Sequence, residues 1–131
     1  MRGKKGIEIR KAHFPGRAPL DAYGNGGFRF AEMSHQGSLL CLPSGIYGWE
    51  VSVTADLVAE NFSKLFEESA DIEILLVGSG PDLVPIKPQL RDRFRDVQIS
   101  ADAMATGAAV RTYNVLVAEG RAVAAALLAV E

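Results

Sequence analysis

Val77-Gly78-Ser79-Gly80 is the most chemically suggestive run in this chain. A glycine-rich turn after a buried strand exposes backbone N–H groups at the carboxyl edge of a sheet, where open α/β sheets bind ligands and anions. The run is not a P-loop, because no Gly-Lys-Ser/Thr follows it. It is a poor dinucleotide fingerprint, since the third glycine is missing and Pro81-Asp82-Leu83-Val84-Pro85 stands before any helix. Ser79 lacks the Gly-x-Ser-x-Gly spacing of a nucleophile elbow. A tight turn needing φ > 0 explains the same glycines without any ligand. The second suggestive place is Arg111-Thr112-Tyr113-Asn114, inside an otherwise apolar helical run that also holds Gly107, Ala108 and Ala109. An arginine there fixes an anion or carboxylate, pairs internally, or lays its stem on apolar neighbours. A mid-helix arginine in a small domain is expected to have a structural partner.

The remaining reactive groups point to no reaction. His13 and His35 stand at no metal-ligand spacing from another His or Cys, so no metal or cofactor is implied. Cys41 sits in Leu39-Leu40-Cys41-Leu42 and is expected to be a small buried hydrophobe; a lone cysteine also makes no internal disulfide. Asp92 and Asp96, interleaved with Arg91, Arg93 and Arg95, make a solvated helix face.

The elements that must position these groups follow from periodicity. Leu20–Tyr23 and Phe28–Phe30 flank Gly24-Asn25-Gly26-Gly27, a strong hairpin signal. Met33-Ser34-His35-Gln36 falls in a polar loop. Ser38–Leu42 and Ile46–Val51 make a second hairpin around Pro43-Ser44-Gly45, with Tyr47, Trp49 and Val51 on one face. Thr54 is expected to cap a helix reaching about Ser69, with Val58, Phe62, Leu65 and Phe66 as its apolar stripe. Ile72–Val77 is continuously apolar enough for a central strand covered on both faces. Pro88 starts a short helix with Leu90 and Phe94 inward, and Val97–Ile99 is a short strand. Ser100 or Asp102 caps a long helix that ends near Glu119-Gly120. In that helix Thr106, Val110, Tyr113 and Val117 form one row, and Met104, Ala108, Arg111 and Val115 another. The alanines of Arg121–Val130 favour helix, but its length and unbroken apolarity favour a buried strand, which is the expectation. The order β-β-β-β-α-β-α-β-α-β implies an α/β fold with a mixed sheet, antiparallel first and parallel later.

The chain has 131 residues, enough for one domain. Residues 1–17, with Arg2, Lys4, Lys5, Arg10, Lys11 and Arg17, carry a net +5, and residues 18–131 a net −7. A flexible basic leader (1–17) on a single α/β domain (18–131) is the expected organisation, with Ile7–Ile9 a candidate edge strand. An acidic body argues against nucleic acid as the main partner, whereas the leader suits an anionic membrane surface or an acidic protein. No apolar run approaches the ~20 residues of a spanning helix. No secretory signal is visible, so a soluble cytoplasmic protein is expected.

Four segments in order carry a resemblance: Phe28-Arg29-Phe30, Gly45–Trp49, Val77–Pro81 and, most specifically, Ala105–Leu116. They resemble a small family of domains of unknown function, first seen as an archaeal hypothetical protein. The family includes the mitochondrial complex I assembly factor 3 and the adipogenesis-associated protein of animals. The likeness spans about residues 18–130. It implies a compact three-layer α/β domain with no established enzymatic activity, and a non-catalytic helper role in building NADH:ubiquinone oxidoreductase. It also implies that Gly78, Ser79, Gly80, Arg111, Thr112 and Tyr113 lie near one cleft. Without a long mitochondrial targeting peptide, the chain looks like a bacterial member. Its expected partner is a protein, a respiratory complex subunit among the candidates, with peripheral contact at the inner face of the membrane. An anion- or small-molecule-binding domain, an enzyme included, is the alternative.

Overall fold

The Asn25-Gly26 dipeptide turns back the chain as its sequence demands. Both residues are left-handed (φ 54° and 81°), and they join β2 (Ala22–Gly24) to β3 (Gly27–Phe30). The structure, a computed structural model, describes residues 13–131. Ile7–Ile9 therefore lies outside the described residues. A third strand, β4 (Met33–Gln36), extends this small sheet where a polar loop was expected. Its turn is Ala31-Glu32, with φ of 49° and 64°. Neither residue advertises a left-handed turn, which is why the hairpin is hidden in the sequence. Gly27 allows the close pairing: a Cβ there would collide with the His35 carbonyl oxygen.

The main sheet has six strands in the order β1-β6-β5-β9-β7-β8. The added members are β1 (Phe14–Pro15), β5 (Ser38–Leu42), β6 (Gly45–Trp49), β7 (Ile74–Gly78), β8 (Ser100–Met104) and β9 (Val123–Leu127). The alanine-rich tail is a strand, as its apolarity demanded. β9 pairs antiparallel with β5 and parallel with β7, so its backbone groups are satisfied on both sides. The sheet is antiparallel through β1, β6, β5 and β9, and parallel through β9, β7 and β8.

Each strand divides its residues between two apolar layers. Leu40, Leu42, Leu75, Val77, Ala124 and Ala126 face one; Leu39, Cys41, Leu76, Val123, Ala125 and Leu127 face the other. The first layer packs against α1 (Ser63–Glu67) and α2 (Pro88–Asp96), through Leu65, Leu90 and Phe94. The second packs against α3 (Thr106–Ala118) and the small sheet, through Tyr113, Phe28 and Phe30. This is the three-layer α/β arrangement implied by the resemblance.

Two further elements differ from expectation. The helix from Thr54 to Ser69 is broken into 3₁₀ turns at Thr54–Asp56, Ala59–Phe62 and Ser69–Asp71 around the five-residue α1. Thr54 makes no capping bond, and Val53 and Val58 stay extended. An unbroken helix would hold Leu57 and Phe62 about 140° apart around its axis. Breaking it at Val58 lets both side chains reach the core. The second difference is Ser100–Met104, which caps no helix but forms β8, while Val97 and Gln98 end α2 in a turn. The alternation of exposed Ser100 and Asp102 with buried Ala101 is a period-2 pattern disguised by alanine's weak strand preference.

His35 joins the two sheets. Its Nε2 lies 3.0 Å from Ser38 O, and its ring lies 4.9 Å from that of His13. Gly48 makes room, since a Cβ there would stand 2.8 Å from His35 Cε1. Burial holds the His35 pKa below its usual 6.5, with the Ser38 bond opposing and His13 assisting. A folded-state pKa below the unfolded value means that protons favour unfolding as pH falls through about 6.5. Urea midpoints are expected to fall between about pH 7 and 5.5, and less steeply in His35→Gln. Equal slopes in the two proteins reject this account.

Candidate functional site

The carboxyl end of β7 meets the start of α3 and the end of β9, and threonine clasps them. Thr106 is fully buried. Its Oγ1 accepts from Gly80 N–H (3.0 Å) and donates to Leu128 O (2.8 Å), while Thr106 N–H donates to Gly80 O (2.8 Å). Leu128 N–H closes the ring by donating to Gly78 O (2.9 Å). Gly78 is needed for closeness, since a Cβ would stand 2.8 Å from Leu127 Cδ2 and 3.1 Å from Thr106 Cα. Gly80 is needed for conformation, at φ +108°.

Ser79 has a structural occupation. Its buried hydroxyl faces the carbonyls of Asp82 (2.7 Å) and Met104 (3.0 Å) and accepts from Val84 N–H (2.8 Å), folding the loop over itself. The Ser79 amide donates to Met104 O (2.8 Å). The amides of Ser79 and Gly80 are therefore both engaged within the protein. An anion in this region would have to find other donors.

Those donors lie one turn away. An open cavity of about 530 Å³ is bordered by Gly80, Gly107, Ala108, Arg111, Tyr23 and Glu131. The first-turn amides of Gly107 and Ala108 have no hydrogen-bond partner among the described residues. Tyr23 leans over the helix start so closely that a Cβ on Gly107 would overlap its hydroxyl. Arg111 is exposed, with Nη1 3.4 Å from Tyr23 Oη. Its partner is thus an exposed hydroxyl and not the internal carboxylate expected of a structural arginine: α3 turns Arg111 outward, and no carboxylate meets it among the described residues.

The candidate residues thus separate. Gly80 and Arg111 share the cleft, while Gly78 and Ser79 lie buried behind it and Thr112, half-buried, does not border it. Tyr113 is fully buried on the opposite face of α3. Its neighbour Asn114 exchanges two 2.8 Å hydrogen bonds with the backbone of Leu20, tying the segment before β2 to α3. Tyr23, Thr106 and Gly107 were missed as parts of the site. The glycine at the start of a helix was a usable signal, whereas Tyr23 arrives from 84 residues away and leaves none.

Tyr113 Oη is buried with no hydrogen-bond partner among the described residues, beside the Cys41 thiol. Burial pushes the Tyr113 phenol well above its usual range, and the nearby thiol adds to this. Burial likewise pushes Cys41 up to about 12, so it is no thiolate nucleophile at neutral pH. Tyr113→Phe removes an unpaired polar atom. It is expected to leave stability unchanged or to raise it by up to about 1 kcal/mol in chemical denaturation. A loss above about 1 kcal/mol would show that the hydroxyl has a partner. Among the described residues no three His, Cys, Asp or Glu side chains are grouped to hold a metal ion, and no helix is long and apolar enough to cross a membrane.

The family described as a protein of unknown function (DUF498/DUF598) matches residues 20–128. A crystal structure described as an outer membrane protein from Bartonella henselae superposes with a TM-score of 0.86 at 58% identity, over 91% of this chain and 100% of that one. A solution structure from Bordetella pertussis, described as an Mth938-like domain, gives a TM-score of 0.73 at 25% identity, over 98% of this chain and 91% of that one. Mouse NADH dehydrogenase (ubiquinone) 1 alpha subcomplex assembly factor 3 is 30% identical over 122 residues. That match takes in 93% of this chain, which spans 66% of the mouse protein's length.

Proposed function

We infer, on the premise that this chain belongs to the DUF498/DUF598 family and has the Mth938-like fold, that it is a non-enzymatic assembly factor that binds protein partners. Its target is a respiratory complex of the NADH:ubiquinone oxidoreductase type. The observation that carries this reading is the likeness to the mouse assembly factor across nearly the whole chain. The reactive groups agree with it: Ser79 is spent on its own loop and Cys41 is sealed in the core. The basic residues 1–17 against a body of net −7 suit work in the cytoplasm at the inner face of a membrane. Deleting the gene from a respiring bacterium is expected to deplete assembled NADH:ubiquinone oxidoreductase on native gels, and tagged protein is expected to capture its subunits. An unchanged amount of assembled complex overturns the reading.

The cleft supports a second reading, a small anionic ligand held by Arg111 and the free amides of Gly107 and Ala108, with Gly80 at its border. A ligand at a hundred times its Kd adds about 2.7 kcal/mol to stability, a shift that thermal melting detects. A panel of inorganic phosphate, nucleotides and carboxylates is expected to raise the melting temperature of the native chain. Arg111→Ala is expected to abolish the shift while changing intrinsic stability by less than about 0.5 kcal/mol, because the side chain is exposed. Silence across the panel rejects this reading.

A further inference from the structure

The sheet ends at β8, and the direction of its outer hydrogen-bonding groups is known. Ser100 N–H donates to Glu73 O (2.9 Å), and Met104 O accepts from Ser79 N–H (2.8 Å). The N–H and C=O of one strand residue point to the same side, so Ser100, Asp102 and Met104 face β7, and Ala101 and Ala103 face outward. Arg91 Nη1, which donates to Ala101 O at 3.1 Å, marks that outward direction. The two outward residues carry only methyl side chains, both turned into the α2 layer, so nothing bulky on them obstructs a strand approaching in the plane of the sheet.

An open groove of about 400 Å³ runs beside this edge, bordered by Arg91, Arg95, Gln98, Ser100, Ala101 and Asp102. Its charge departs from that of the body. Residues 18–131 carry a net −7, yet Lys87, Arg91, Arg93 and Arg95 are concentrated on and just before α2. Arg93 is taken up by the Phe66 ring, 5.1 Å from its centroid, which leaves Arg91 and Arg95 at the groove. Asp102 borders the groove, and α2 itself carries Asp92 and Asp96, so residues 87–96 keep four cations against two acids. Asp92 is 3.1 Å from Arg95 in a pair whose side chains are 66% and 71% exposed, and such a pair is readily exchanged.

We propose that β8 is the docking edge for an extended acidic segment of a partner protein. The segment adds a strand beside Ala101 and Ala103, and its carboxylates pair with Arg91 and Arg95. On docking, Arg91 leaves Ala101 O for a carboxylate, and a strand N–H replaces it on that carbonyl. The inference gives the assembly reading a surface and rests on it for the biological occupant. Its test uses only purified protein and synthetic peptides, so a failure here leaves the deletion experiment standing.

The probe is N-acetyl-(Glu-Val)₃-amide titrated into ¹⁵N-labelled protein, with N-acetyl-(Lys-Val)₃-amide as the charge-reversed control. The glutamate peptide is expected to shift the Ala101 and Ala103 amide resonances saturably, and to bind roughly tenfold more tightly than the lysine peptide. Arg91→Gln with Arg95→Gln is expected to weaken it by roughly tenfold, while an unchanged melting temperature shows that the fold is intact. No shift at Ala101 and Ala103 at millimolar peptide, equal binding of the two peptides, or full binding by the double variant overturns the proposal. Concentration-dependent shifts of the same amides without peptide assign the edge to a second copy of the chain, and also overturn it.

Discussion

Thr106→Val is expected to lower the unfolding free energy by about 2–4 kcal/mol, although the side chain keeps its shape. The hydroxyl serves two buried backbone groups at once, Gly80 N–H and Leu128 O. Valine leaves both in place without partners, and each unpaired buried group costs about 1–3 kcal/mol. Thr106→Ser keeps the hydroxyl and loses one methyl, so its cost is expected near 1 kcal/mol. Urea denaturation of the two variants separates the hydrogen bonds from the packing. Equal losses would mean that the clasp contributes only its bulk. Because the same hydroxyl holds the Gly80 turn against the start of α3, Thr106→Val is also expected to loosen the cleft that Arg111 borders.

Phe94→Ala is expected to cost about 3–5 kcal/mol, the range for emptying a buried aromatic site. Phe94 is fully buried, edge-on to Phe62 at 5.3 Å and stacked with Phe66 at 5.4 Å; Trp49 continues the row onto Phe62 at 5.2 Å. With Leu90 it seats α2 on the sheet, and α2 carries the arginines that line the β8 edge. Loss of Phe94 is therefore expected to broaden the Ala101 and Ala103 amide signals besides lowering the denaturation midpoint. A cost below about 2 kcal/mol would show that the neighbouring rings close the space, and that α2 is seated elsewhere.

Local chemistry determined much of this protein without help from the fold. Asn25-Gly26 had to turn, because both residues tolerate a left-handed backbone. Pro88 had to open a helix and Gly120, at φ +74°, to close one. Ile74–Val77 and Val123–Leu127 had to be buried on both faces, because they offer no polar side to water. The helical row Thr106, Val110, Tyr113 and Val117 already gave α3 an inner face, but the neighbouring row with Arg111 was assigned to solvent only by the fold.

Tertiary structure decided what local preference leaves open. Ala31 and Glu32 take left-handed conformations because pairing Phe28 with His35 and Phe30 with Met33 outweighs their strain. Val58 interrupts a promising helix because Leu57 and Phe62 must both enter the core. Ser100–Met104 becomes a strand because β7 supplies a ladder that isolated Ser-Ala-Asp-Ala-Met does not seek. The cleft followed the same division. Gly80 and Arg111 were visible as unusual residues in their own segments, but Tyr23 and Thr106 acquire their roles only by contact. A hydrogen bond from Thr106 to Leu128, or a tyrosine laid on Gly107, depends on where distant strands finally lie, and no spacing along the chain encodes that distance.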